Sequence, residues 1–114
     1  RVAALLDLGA GLGLHARHRP LEHDALTAAV AESEALISTV PADVAAAHAD
    51  ALAPIPVLLD AIYDPWPTPL AAAVTAAGGR VISGLQMLLH QAYAQVEQFT
   101  GRPAPRAQMA AALS

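Results

Sequence analysis

The chain has 114 residues, 55% of them hydrophobic and 14% charged, with a net charge of -4. That length supports one domain around one core, and the composition excludes a disordered segment. The six basic residues are scattered, so no cationic patch offers itself to nucleic acid or anionic lipid, and the absence of cysteine removes disulfides, thiolate catalysis and cysteine metal sites together.

No stretch reaches the ~20 unbroken apolar residues of a membrane-spanning helix. Lack of cysteine fits a reducing compartment, so a cytoplasmic setting is the expectation. The first residues lack both an initiator Met and the charged-then-apolar layout of a signal peptide, and Arg1 opens directly into a helix-like pattern. The chain therefore reads as a piece of a longer protein.

Taken in order, Val2, Leu5 and Leu6 stand at helical spacing, and Gly9, Gly11 and Gly13 are expected to end that helix. The same residues allow a second reading. Leu5 to Gly13 resembles the first motif of class I methyltransferases, an apolar strand turning through glycines beneath S-adenosylmethionine, and Tyr63-Asp64-Pro65-Trp66 is similar to a later motif of their amino-methylating branch. Leu14 to Leu21, with His15, Arg17 and Arg19 alternating with small or polar residues, predicts an edge strand. His15 and His18 are three apart, which on a strand sends them to opposite faces, so no metal site is read there.

Asp24 is expected to cap a short helix over Ala25 to Ala31, before an apolar strand from Ala35 to Val40. Asp43 to Ala53 predicts one helix with Val44 and Leu52 inward and His48 at the surface, stopped by Pro54 and Pro56. Val57 to Leu59 has no polar alternation and predicts a strand covered on both faces, as in a parallel sheet. It runs into Asp60 and a loop carrying Tyr63 and Trp66 among prolines. Thr68 before Pro69 suits an N-cap followed by proline at the first helical position. Ligands in open α/β sheets gather at the carboxyl ends of strands, which makes Asp60 to Trp66 the first place to look for a site.

After that helix, Gly78 and Gly79 lead into a last strand from Arg80 to Ser83. From Leu85 onward, Leu88, Leu89, Ala92, Val96 and Phe99 recur at helical spacing up to Gly101, with Met87 and Gln91 one turn apart on one side. Pro103 to Leu113 predicts a closing helix. Alternation of strands and helices at this rhythm predicts an α/β fold with a doubly wound parallel sheet.

Two segments carry a family resemblance. Asp60-Ala61-Ile62-Tyr63-Asp64-Pro65-Trp66-Pro67-Thr68-Pro69-Leu70 is similar to the Asp-x-x-Tyr-Asn-Pro-x-x-Thr-Pro-Leu segment of shikimate dehydrogenases. Gly84-Leu85-Gln86-Met87-Leu88-Leu89-His90-Gln91 is similar to their Gly-Leu-x-Met-Leu-x-x-Gln helix opening. The resemblance runs from about Ala35 to Leu113. It implies the carboxyl-terminal part of an NADP-binding Rossmann domain, spanning residues 1–114, in an enzyme that reversibly reduces 3-dehydroshikimate to shikimate for aromatic amino-acid biosynthesis. It further implies that Tyr63 and Gln91 bind the substrate and that Ala61, Gly84 and Met87 line the nicotinamide. The family has Asn-Ala-Thr where this chain has Ser38-Thr39-Val40, so a cofactor contact by Thr39 and Val40 would run through backbone. Asp64 replaces the usual Asn.

The family's catalytic Lys and Asp lie in an amino-terminal domain, and this chain contains no lysine. It also lacks the strand and glycine loop that hold the pyrophosphate. On the usual strand order 3-2-1-4-5-6 the chain is expected to hold the third to sixth strands without the first two. That expectation carries three others: no turnover by the chain alone, dependence on the missing domain, and self-association of copies through exposed strand edges. Shikimate versus quinate preference is not readable from these residues. A non-catalytic α/β interaction module is the remaining alternative.

Overall fold

A computed structural model of the chain describes Arg1 to Leu113. Three strands, β1 (Ala35–Ser38), β2 (Val57–Asp60) and β3 (Arg80–Ser83), form a parallel sheet in the order β1-β2-β3. Their register places Ser38, Asp60 and Ser83 side by side, so all three strands end level. A parallel pair needs a crossover, and here the helices supply it. The helices are α1 (Val2–Gly11), α2 (His23–Ala31), α3 (Ala42–Ala46), α4 (Ala49–Leu52), α5 (Pro69–Ala76), α6 (Gly84–Thr100) and α7 (Arg106–Ala111).

The core lies on one face of the sheet. Because side chains alternate along a strand, Leu36, Leu58 and Val81 share a face. There they meet Val30 of α2, Ala45 of α3, Leu52 of α4, and Leu70 and Val74 of α5. Leu58, Leu70 and Val74 are fully buried. The opposite face carries Ile37, Leu59 and Ile82, and α6 lies against it at Leu59 and Ile82. Ile37 remains 68% exposed there. Coverage of Val57 to Leu59 on both faces is thus corrected: Leu58 is sealed, while Val57 and Leu59 are half-buried.

The α/β class stands, with three strands where four were expected. Leu14 to Leu21 is irregular, because no neighbouring strand among the described residues offers it a ladder. The outer edge of β1 is likewise unpaired among them. Leu5 to Leu8 lie within α1, which removes the central strand that the methyltransferase reading requires. The helix continues through Gly9 and Gly11 and ends at Leu12. Gly9 is buried because the returning chain passes close: an added Cβ would lie 3.1 Å from that of Ala16.

Asp24 sits in the first turn of α2 but does not cap it, since the N-cap is Glu22 and no side chain bonds there. The single helix expected over Asp43 to Ala53 is two, broken at His48 (φ -117°, ψ 10°). The break re-phases the chain so that Ala45 and then Ala51 and Leu52 reach the core, leaving Val44 exposed and His48 half-buried. On α6 the apolar stripe is also partly displaced: Phe99 is 85% exposed and the buried residues are Gly84 and Tyr93. Tyr93 is covered by α7, whose Arg106 guanidinium lies 4.9 Å from the ring centroid.

The radius of gyration, 16.7 Å, exceeds the roughly 13 Å of a closed domain of this length. The excess agrees with the open sheet face and with α1, which leaves Leu5, Leu8 and Leu12 largely in solvent.

Candidate functional site

The site is built on the level carboxyl ends of the strands. β2 ends at Asp60, whose carboxylate is 1% exposed. Its Oδ1 accepts from the Ile62 N–H at 3.1 Å and its Oδ2 from the Thr68 hydroxyl at 2.7 Å. The Thr68 hydroxyl in turn accepts from the Ala71 N–H at 3.1 Å, which makes Thr68 the expected N-cap of α5, with Pro69 behind it. Asp60 is thereby closed off from solvent and reactants alike. What it presents to the outside is the loop between its two partners, which leaves Tyr63 50% and Trp66 41% exposed.

β3 ends one strand away, at Ser83, and α6 begins at once. The Ser83 hydroxyl accepts from the Gln86 N–H, and the Gln86 side chain returns a bond to the Ser83 N–H, forming a capping box. Ser83→Ala is expected to lower stability by about 1 kcal/mol, read as a shift of the urea midpoint. The first residue of α6 is Gly84, and its neighbour is the Ala61–Ile62 backbone. Its N–H donates to the Ile62 carbonyl at 3.3 Å. An added Cβ would run into the Ala61 carbonyl oxygen and lie 2.6 Å from the Ala61 carbonyl carbon. Gly84 is a glycine because another stretch of the same chain occupies the space a side chain would need.

Along α6, Met87, His90 and Gln91 face a cleft of about 540 Å³ on the open side of the sheet. Leu59 and Ile82 form its apolar floor, and Arg80 and Gln86 complete its polar rim. The sequence-predicted residues therefore fall into three places. Met87 and Gln91 share the cleft, and Gly84, at the head of their helix, touches Ala61. Tyr63 stands on the loop beyond Ala61 and is not part of the cleft wall. Thr39 and Val40 follow β1 and line a separate pocket of about 150 Å³, with Leu36, Val44 and Leu52 among its other walls.

Sequence reasoning missed two features. Adjacent helix positions point about 100° apart, yet His90 and Gln91 both line the cleft, which is wide enough to take both. The Asp60–Thr68 bond was also missed, although an acid ending a buried strand eight residues before a Thr-Pro N-cap was its visible signal. The Ser38 hydroxyl, buried next to Asp60 in the sheet, has no partner among the described groups. Those residues contain no group of three His, Asp or Glu placed to hold a metal ion, and no helix long and apolar enough to cross a membrane.

The chain is similar to known proteins of one kind. The sequence profile described as "Shikimate 5'-dehydrogenase C-terminal domain" matches residues 84–113. The NADP(+) shikimate dehydrogenase of Thermosynechococcus vestitus is 46% identical over 68 residues, which cover 57% of this chain and 24% of that protein. That of Chlorobium phaeobacteroides is 37% identical over 82 residues, covering 72% of this chain and 26% of the relative. The crystal structure of Mycobacterium tuberculosis shikimate dehydrogenase superposes with a TM-score of 0.93 at 66% identity, over 98% of this chain and 43% of that one. A shikimate 5-dehydrogenase from Mycobacterium fortuitum gives a TM-score of 0.91 at 59% identity. The chain thus spans about a quarter of these two curated relatives and less than half of the M. tuberculosis structure.

Proposed function

We propose that the chain is a carboxyl-terminal part of a shikimate dehydrogenase and forms the nicotinamide- and substrate-facing wall of an NADP-dependent enzyme interconverting 3-dehydroshikimate and shikimate. The observation that carries the reading is the contact of Gly84 with Ala61. It joins the loop bearing Tyr63 to the helix bearing Met87 and Gln91, which are the two segments of the family motif. Tyr63 and Gln91 are neutral hydrogen-bonding groups, suited to orienting a polyhydroxylated ring without adding charge to it. Met87 supplies a soft apolar wall. Hydride transfer is the cofactor's chemistry, and these residues supply orientation.

The residues present fit one end of such a cofactor. Ala61, Gly84 and Met87 suit the nicotinamide, and the backbone at Thr39 and Val40 is available at the next strand end. Gly9, Gly11 and Gly13 do not form the strand-to-helix turn that grips a pyrophosphate, because the first two lie inside α1. The rest of the grip, the catalytic Lys and Asp, and the substrate domain are assigned to an amino-terminal part outside these 114 residues.

The test joins the chain to the amino-terminal part of a shikimate dehydrogenase and measures NADP-linked oxidation of shikimate. Activity is expected from the joined protein and none from the 114-residue chain, which should also show no thermal shift with NADPH. In the joined protein, Gln91→Ala and Tyr63→Phe should each raise KM for shikimate by roughly 10-fold, as expected when a buried hydrogen bond to a ligand is lost. An inactive joined protein, or turnover by the isolated chain, would sink the reading.

A further inference from the structure

We infer that Asp60 is a positioning residue for Tyr63, acting as one half of a clasp whose other half is Gly84. The inference rests on the reading above for the role of Tyr63, and on its own geometry for the clasp. The decisive residue is Ile62, immediately before Tyr63. Its N–H donates to Asp60 Oδ1 at 3.1 Å and its carbonyl accepts from the Gly84 N–H at 3.3 Å. Both backbone polar groups of Ile62 are thus held, one by the end of β2 and the other by the first residue of α6. Ala61 is held as well, since its N–H donates to the Ser38 carbonyl at 2.9 Å.

The second carboxylate oxygen closes the far end of the loop through Thr68. One buried acid therefore holds both ends of a segment whose middle is half in solvent. A cap for α5 would need only Thr68. The additional bond to Ile62 does nothing for that helix, and its effect is to fix where Tyr63 leaves the sheet. Because the Ile62 carbonyl is bound by Gly84, the loop and the start of α6 move together, and Met87 and Gln91 move with α6. The clasp keeps Tyr63 and Gln91 in a constant relation although no direct contact joins them.

Trp66 is the single tryptophan of the chain and lies between Asp60 and Thr68, so its fluorescence reports the loop without substrate. Thr68→Val keeps the side-chain volume and removes the hydroxyl, Thr68→Ser keeps the hydroxyl, and Asp60→Asn keeps the volume and removes the charge. In the 114-residue chain, acrylamide quenching of Trp66 should rise about 2-fold in Thr68→Val and Asp60→Asn, as the loop gains local motion. Thr68→Ser should match the wild type, and far-UV circular dichroism should stay constant. In the joined enzyme the two disruptive variants should raise KM for shikimate roughly 10-fold with kcat within about 3-fold, and Thr68→Ser should restore KM. Unchanged quenching in Thr68→Val overturns the clasp whatever the enzyme does. Raised quenching with unchanged KM overturns the link to Tyr63. If the joined wild type turns over no shikimate, the functional reading falls while the quenching result still decides the clasp.

Discussion

Gly84→Ala is expected to cost about 3 kcal/mol, the upper range for forcing extra volume into a packed site, and to abolish measurable shikimate oxidation in the joined enzyme. The new methyl group would meet the Ala61 carbonyl oxygen, with the Ala61 carbon at 2.6 Å and the Ile62 oxygen at 3.1 Å. All three are backbone atoms, so no side-chain rotation relieves the clash. Either α6 moves off the end of the sheet or the 61–62 segment does, and the Gly84–Ile62 hydrogen bond breaks in both cases. Gly101→Ala separates this effect from generic loss of glycine. Gly101 caps α6 at φ 66° with open space around it, and its replacement should cost only about 1 kcal/mol for the left-handed backbone. Urea denaturation of the two variants reads the difference. A Gly84→Ala protein with the midpoint of the wild type would mean that Ala61 is not where the structure puts it.

Leu58→Ala and Ile37→Ala should differ by about 2.5 kcal/mol although both lie in the sheet. Leu58 is fully buried on the central strand, against α3, α4 and α5. Removing its side chain leaves a cavity among the buried apolar side chains of that cluster, which include Leu52, Leu70 and Val74, for which about 3 kcal/mol is the ordinary cost. Ile37 lies on the adjacent strand, facing the opposite way and 68% exposed, so its truncation should stay within about 0.5 kcal/mol. Chemical denaturation of the 114-residue chain tests the pair. Equal destabilisation would show that the second face of the sheet is covered in solution and that the one-sided core described above is wrong.

Much of the frame was legible because it depends on local chemistry. Thr68 before Pro69 marked the start of α5, and Gly101 marked the end of α6, since capping is decided within a few residues of each helix end. The three strands of the sheet were each visible as an apolar run bounded by turn residues. The paired motifs around Tyr63 and Gln91 resemble the proteins to which the chain proves similar, by a profile over residues 84–113 and by the M. tuberculosis structure over 98% of its length.

Other features depend on what lies across space. Leu14 to Leu21 has the alternation of a strand but no ladder to join, and alternation cannot announce a missing partner. Val57 to Leu59 reads the same whether one face is sealed or two. The break at His48 follows from the need to turn Ala45 and Leu52 toward one core, which no spacing within the segment reveals. Phe99 continues the apolar period of α6 yet lies beyond the packing surface that α7 and Tyr93 provide.

By itself, then, the sequence determined the parallel α/β alternation, the helix ends at Thr68 and Gly101 and the spacing of the two motifs, because propensity, hydrogen-bond termination and motif spacing act over short distances. Only the tertiary structure decided that Asp60 holds both ends of a loop, that Gly84 yields its side-chain space to Ala61, and that one face of the sheet stays open. Each of those depends on atoms brought together from separate segments by the packing of helices on one side of three level strands.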